Sequence, residues 1–502
     1  MNRPALDLLR SRRLATWWWL PLVPTAWFSL LWRLGAQPLQ NWDESRMAVN
    51  AAEMLRDGNW LVTHFRGEPD LWNTKPPLLV WLQALSLEAF GHSEWAFRLP
   101  TALAAVALTA MVAVFAWRWL GGPLAGLLAG LALLSSKGFI RQHVAQSGDY
   151  EALLMLFTTA QMLAAFVWLQ TGRARYLLLL GAAVGLAVLT KSAAGLFFLP
   201  GIAIEIIRRG RLVALMKQPA AWAAAALAGG IPALWYGVRE QAAPGYWNAV
   251  WQNELGGRLL NALEMHTGPW YYYMTDFANM DFLPWTPWVL AAAWALARRP
   301  TRRPVHRLFT LTAWTGGLFL VIISLARTKL PWYNAPIYPL LALVVGGGLT
   351  VLARWVAHGR PVAARYRLSV LLVALAVVPA VAALQWRLVR VYARRYNQPE
   401  QTYGRFLRDS AATPGTRFTL LHRGAAPNTR DYNAPLEFYA LAHRQQYPRD
   451  TVDVCYTARA LPPGRVVLVC GATARATLAR SYRTRVLYAA DSCYTLQVQG
   501  PR

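Results

Sequence analysis

The chain has 502 residues, 56% of them hydrophobic and 15% charged, with a formal net charge of +27. A soluble core buries one or two long uncharged stretches, and this chain has many, which excludes a soluble protein. The positive charge clusters between those stretches, which excludes a nucleic-acid site and marks cytoplasmic loops.

Taken in order, the apolar segments predict about eleven spans of roughly 20 residues or slightly fewer. Trp17–Leu34 leads outward behind Arg10, Arg12 and Arg13. It lacks a small-residue cleavage site and reads as an uncleaved anchor. Phe97–Leu120 returns, Leu124–Ile140 exits and Glu151–Leu169 returns. Tyr176–Thr190 exits and Ala194–Ile207 returns. Ala220–Val238 exits, Leu283–Ala297 returns and Leu308–Ala326 exits. Pro331–Ala353 returns and Leu368–Trp386 exits. The basic clusters then all face inward: Arg173 and Arg175; Arg208, Arg209 and Arg211; Arg298, Arg299, Arg302 and Arg303; Arg354, Arg360, Arg365 and Arg367.

Three outward loops carry the polar chemistry. The first, about Gly35 to Arg98, contains Asn41-Trp42-Asp43-Glu44-Ser45-Arg46 and Trp72-Asn73-Thr74-Lys75-Pro76-Pro77. Two interfacial helices are expected in it, Ala48–Leu55 and Pro77–Phe90. The second is the turn Gln146-Ser147-Gly148-Asp149-Tyr150-Glu151. The third, about Arg239 to Phe282, holds His266, Trp270 and Tyr271-Tyr272-Tyr273.

Carboxylates at a membrane face are costly unless solvated or paired. Asp43 and Asp149 could converge, one taking a proton from an acceptor group while the other fixes a partner. The competing reading is that each caps a helix. The chain has only five lysines: Lys75, Lys137, Lys191, Lys217 and Lys329. All but Lys217 fall near the outer face, against the positive-inside trend. They suit a phosphate as compact point charges, or snorkel to headgroups. Tyr333 and Tyr338 either line a groove for a prenyl chain or anchor the interface. His266 reads as a metal ligand, a phosphate donor or a surface histidine.

From about Leu388 to Arg502 the chain is polar, with short β-like runs at Arg417–Leu421, Val466–Val469 and Tyr494–Val498. Turns at Pro414-Gly415 and Pro462-Pro463-Gly464 separate them. This predicts a small α/β domain outside the cytoplasm, after a membrane domain ending near residue 387. Cys455, Cys470 and Cys493 all lie in it, as one disulfide with a thiol left over or as buried thiols.

Over roughly Trp17 to Leu352 the chain resembles the integral-membrane glycosyltransferases of the C-type (GT-C) fold. Within them it is most like the set containing aminoarabinose transferases that modify lipid A, galacturonic-acid transferases of lipopolysaccharide, and protein O-mannosyltransferases. The residues that carry the resemblance are Asp43-Glu44-Ser45-Arg46 with Ala51-Ala52-Glu53-Met54-Leu55, Lys75-Pro76-Pro77-Leu78, Phe90-Gly91, Arg98-Leu99-Pro100 and Asp149. Leu189-Thr190-Lys191, His266 with Pro269-Trp270-Tyr271-Tyr272, Leu283-Pro284-Trp285, Lys329-Leu330-Pro331 and Tyr338-Pro339 complete it.

The resemblance implies a polyprenyl-phosphate sugar donor used on the outer face of the cytoplasmic membrane. The acceptor would be an envelope glycan, lipid or protein. It implies Asp43 at the reaction centre, with Glu44 beside it and Asp149 in support. Lys75 would neutralise the donor phosphate, with Arg46 and Lys191 as further candidates, and His266, Lys329, Tyr333 and Tyr338 would bind substrate. Aminoarabinose transferases hold a metal through a glutamate before the motif lysine and a downstream histidine. Here Thr74 takes the glutamate position while His266 matches the histidine, so a divalent metal is not assigned. A transporter or flippase of lipid-linked sugars is the alternative; it would place its polar residues at mid-membrane within repeats, and none is evident.

Overall fold

Helices dominate the computed structural model, which describes residues 17–257, 266–276, 281–298, 303–393, 399–408, 417–422, 432–456 and 461–502. Arg10, Arg12, Arg13, Arg299, Arg302 and the Pro414-Gly415 turn lie outside the described residues, as do residues 258–265 and 277–280 of the third loop. Among the described residues, seven helices are long and apolar enough to cross a membrane: Glu94–Gly121, Glu151–Thr171, Arg175–Leu196, Pro219–Ala242, Pro304–Leu325, Ile337–Ala357 and Arg367–Trp386. Leu22–Leu31, Leu78–Phe90 and Pro123–Ser135 are apolar but shorter.

Local breaks explain why several expected spans are shortened. The stretch Leu124–Ile140 is helical to Ser135, turns extended at Ser136 and ends in the short helix Lys137–Ile140. Ser135 and Ser136 donate their hydroxyls to the carbonyls of Leu131 and Leu133, at 2.6 and 3.0 Å, offering the backbone a local alternative to helix. The stretch Ala194–Ile207 begins as a 3₁₀ segment, Ser192–Leu196, behind Ser192 with φ of 46°. The helix restarts at Leu199–Arg208 with Pro200 in its first turn, where a missing N–H costs nothing.

By internal packing the chain forms two compact units. The first comprises Met1–Trp32, Thr74–Leu79 and Thr101–Ala393. Its helices approach through small residues, as expected where lipid removes the hydrophobic drive between helices. A Cβ on Gly181 would fall 2.2 Å from the Ala224 carbonyl oxygen, and one on Gly348 would fall 2.2 Å from Ala292 Cβ. These contacts join Arg175–Lys191 to Pro219–Ala242 and Thr286–Arg298 to Ile337–Ala357.

The second unit comprises Arg33–Asn73, Val80–Pro100 and Arg394–Arg502. It holds a short antiparallel pair, β1 His64–Phe65 with β2 Glu68–Pro69, and a five-stranded sheet in the order β4-β3-β5-β7-β6, where β3 is Arg417–Leu421, β4 Thr451–Cys455, β5 Val466–Cys470, β6 Tyr482–Ala490 and β7 Cys493–Pro501. Pairing of β3 with β4 and β5 is parallel, and β7 runs antiparallel to β5 and β6. The continuous apolar run of β5 suits a strand covered on both faces, with Val467, Val469, Leu478 and Leu496 in one core. The disulfide joins Cys470 to Cys493, which pair across β5 and β7, and Cys455 stays outside it.

Helix Ala434–Gln446 packs on helix Asp43–Asp57 within this unit. Tyr439 on the former accepts the Leu39 N–H at 3.0 Å and donates to Glu94 at 2.8 Å. Residues of the first outward loop and of the C-terminal part therefore share one packed body.

Candidate active site

In the second unit the helix carrying Asp43 runs from Asp43 to Asp57, longer than the expected Ala48–Leu55. Asp43 is its first residue. The capping position belongs to Trp42, with φ of 69° and no side-chain capping bond. Glu44 is buried against Arg98, whose Nε and Nη2 donate to its two oxygens at 2.6 and 3.0 Å. The rest of the Arg98 fork donates to the carbonyls of Leu34, Gln37 and Pro38. All its donors are thereby satisfied by the loop that leads into the helix.

Arg46, one turn further, makes a bidentate pair with Asp70, both bonds at 2.8 Å. Phe65 and Trp72 flank its guanidinium, with ring centroids at 4.1 and 4.9 Å. Burial disfavours the charge on Asp70, but Arg46, Asn50 and the Asn73 N–H outweigh it and hold the carboxyl below its ordinary range.

In the first unit, Lys75 Nζ lies 3.6 Å from Glu254 Oε1 and 5.5 Å from the Tyr150 ring centroid. The Thr74 hydroxyl donates to the same carboxylate oxygen at 3.1 Å, and the Tyr246 hydroxyl donates to the Thr74 carbonyl at 2.6 Å. The three outward loops thus meet here: the lysine motif, the second turn through Tyr150 and the third loop through Tyr246 and Glu254. Asp149 sits beside this group in sequence. Its Oδ2 accepts the Ser147 hydroxyl at 2.6 Å and lies 3.2 Å from His143 Nδ1. Burial opposes ionisation of Asp149, yet His143, Ser147 and Lys191 together keep its carboxyl below the usual carboxylate range. The His143 ring stacks on Trp332 at 3.9 Å.

Lys191 pairs with Glu151, and its ammonium stands 5.0 Å from the Tyr333 ring centroid. Lys329 is buried, donates to the Ser324 carbonyl at 2.8 Å, and is pushed below its ordinary pKa by desolvation. Its backbone N–H donates to the carbonyl of the exposed His266 at 2.9 Å. Tyr338 is fully buried, and its single hydroxyl proton is shared between Asn334 Oδ1 at 3.1 Å and Asp281 Oδ2 at 3.3 Å. Asp281 also holds Arg141 at 2.9 Å and Lys137 at 3.4 Å.

Sequence reasoning missed Glu254, Asp281, Arg141, Asp70, His143 and Ser147. Glu254 and Asp281 carried one signal, as carboxylates in the third outward loop. Thr74 is uncharged and spends its hydroxyl on Glu254, which does not fit a metal ligand at that position.

Solved structures share this arrangement of helices. ArnT from Cupriavidus metallidurans, bound to undecaprenyl phosphate, superposes with a TM-score of 0.72 at 18% identity, covering 97% of this chain and 100% of that one. The Archaeoglobus fulgidus oligosaccharyltransferase follows at 0.52 and 13%, covering 85% and 64%. The chain has the GT-C fold.

This GT-C chain is a multi-pass inner-membrane protein. Residues 74–236 match the family model for dolichyl-phosphate-mannose-protein mannosyltransferase. The undecaprenyl phosphate-alpha-4-amino-4-deoxy-L-arabinose arabinosyl transferase of Aeromonas salmonicida is 30% identical over 350 residues, 68% of this chain and 61% of that protein. Its counterpart from Edwardsiella ictaluri is 29% identical over 347 residues, 67% and 60%. The chain therefore spans about three fifths of the length of these relatives.

Proposed function

We propose that the protein transfers a sugar from a polyprenyl-phosphate donor to a cell-envelope acceptor on the outer face of the inner membrane. The observation that supports this best is Lys75, held by residues of two further outward loops on a fold shared with a protein solved with undecaprenyl phosphate. A phosphate leaving group needs positive charge where its negative charge grows, and Lys75 supplies it. The acceptor needs a base or an orienting carboxylate. We assign that role to Asp43, at the head of its helix, with Asp149 as the ionised supporting carboxylate.

Glu44 and Arg46 are positioning residues in this reading, since Arg98 and Asp70 already engage them. Lys329 and Tyr338 are likewise held by internal partners. Lys191 and Tyr333 stay with the substrate, because their cation–ring contact offers both a charge and an apolar face. His266, being exposed, is assigned to an acceptor phosphate. The relatives' names make undecaprenyl-phosphate-linked 4-amino-4-deoxy-L-arabinose the first donor to try, and the resemblance to transferases that modify lipid A makes lipid A the first acceptor. Purified protein incubated with both should yield sugar-modified lipid A and free undecaprenyl phosphate by mass spectrometry. A panel of undecaprenyl-phosphate sugars that gives no transfer to lipid A, envelope glycan or protein would refute the reading.

A further inference from the structure

Glu254 stands where the incoming phosphate of that donor would need room and charge. Its carboxylate and the Lys75 ammonium are both largely buried, with side chains 10% and 13% exposed. The 3.6 Å between them exceeds a normal hydrogen bond, so the pair is held by charge alone. Glu254 is held instead by the Thr74 hydroxyl at 3.1 Å, and Thr74 is held in turn by Tyr246. Burial pushes the Tyr246 phenol up, so it remains a donor to the Thr74 carbonyl across the working range. Glu254 sits in the π-helical segment Trp251–Leu255, a geometry frequent at functional sites. The carboxylate thus keeps its position whether or not Lys75 stays with it.

We propose that Glu254 is a fixed internal counter-ion for Lys75, whose ammonium the donor phosphate draws away and which takes the ammonium back as the polyprenyl phosphate product leaves. This rests on the polyprenyl-phosphate reading above. The donor is a phosphodiester with one negative charge. The product is a monoester carrying about −1.5 to −2 at neutral pH. Both would compete with Glu254 for the same ammonium. The repulsion from a fixed carboxylate a few ångströms away grows with the ligand's charge, so it acts more on product than on donor. Glu254 therefore weakens product binding selectively and speeds its release. It is a positioning residue for Lys75, not a catalytic one.

The test is the dissociation constant of undecaprenyl phosphate for the purified full chain in detergent, read by tryptophan fluorescence, with donor KM and kcat measured in parallel. Glu254→Gln and Glu254→Ala should each bind undecaprenyl phosphate about threefold to tenfold more tightly than wild type. The product should inhibit these variants more strongly, and kcat should fall together with KM. Glu254→Asp, which withdraws the carboxylate by one methylene, should lie between them and wild type, and thermal unfolding identifies variants that fold. In a Lys75→Ala background the Glu254 substitutions should tighten binding clearly less, because the ion pair is gone and only direct repulsion of the phosphate remains.

Equal or weaker binding by both folded variants would overturn the counter-ion while leaving the glycosyltransferase reading intact. Tightening that is undiminished without Lys75 would also overturn it, because no part of the effect would run through the lysine. A wild-type chain that binds no undecaprenyl phosphate would overturn the reading and the counter-ion together.

Discussion

Arg98 clamps Glu44 through both carboxylate oxygens, at 2.6 and 3.0 Å, with neither side chain open to solvent. The pair fixes the start of the helix whose first residue is Asp43, and it gives two adjacent acids opposite expected behaviour. Glu44→Gln leaves the buried Arg98 without its counter-charge and should cost about 3–5 kcal/mol of stability. Thermal unfolding of the purified variant checks it; a Tm equal to wild type would remove the clamp from the account.

Asp43→Asn should do the reverse. Trp42 holds the capping position, so the substitution removes charge and basicity without removing a cap. Turnover should drop by roughly 10²–10⁴-fold with near-normal Tm. Near-wild-type transfer by Asp43→Asn would move the base to Asp149.

Lys75→Ala should weaken donor binding or turnover and leave the protein folded. Lys75→Arg should rescue it only in part, since a planar fork replaces a point charge. Donor titration and steady-state rates measure both. Equal values in wild type and Lys75→Ala would take this lysine out of the mechanism.

Ser147 donates to the Asp149 carboxylate at 2.6 Å and helps to hold it ionised. Ser147→Ala should raise the Asp149 pKa and move the acid limb of the kcat/KM profile to higher pH. An unmoved limb would mean that Asp149 ionisation is not required for transfer.

Asp70 couples the Arg46 pair to pH. Its folded pKa lies below the unfolded value of about 3.9, so its contribution is present above that value and lost as pH falls through the folded pKa. Acid titration of stability should show this loss in wild type and not in Asp70→Asn, which should already be less stable at neutral pH. Identical acid limbs would contradict the assignment.

Much of this architecture was readable from residue order. Long uncharged stretches give spans such as Glu151–Thr171 and Ile337–Ala357 directly, because a helix crossing hydrocarbon admits few charges. Runs such as Val466–Val469 gave the strands of the C-terminal sheet. The breaks at Ser136 and Ser192 were not readable, since they depend on serine hydroxyls and a positive φ inside otherwise apolar sequence. The partners of the outer-face lysines were hidden for a different reason. Glu254 meets Thr74 across 180 residues, and Asp281 meets Arg141 across 140. Local pattern carries no trace of pairings that only the helix arrangement creates. Capping was the local alternative for Asp43, but the helix begins at Asp43 itself, before the expected Ala48, and Trp42 takes the capping position.

The most direct test of donor-dependent transfer is mass spectrometry of envelope lipids, glycans and proteins from a strain lacking this chain, complemented with wild type or with Asp43→Asn. The account predicts one sugar-sized mass increment that disappears on deletion, returns with wild type and does not return with Asp43→Asn. An envelope unchanged by the deletion, or an increment fully restored by Asp43→Asn, would contradict it.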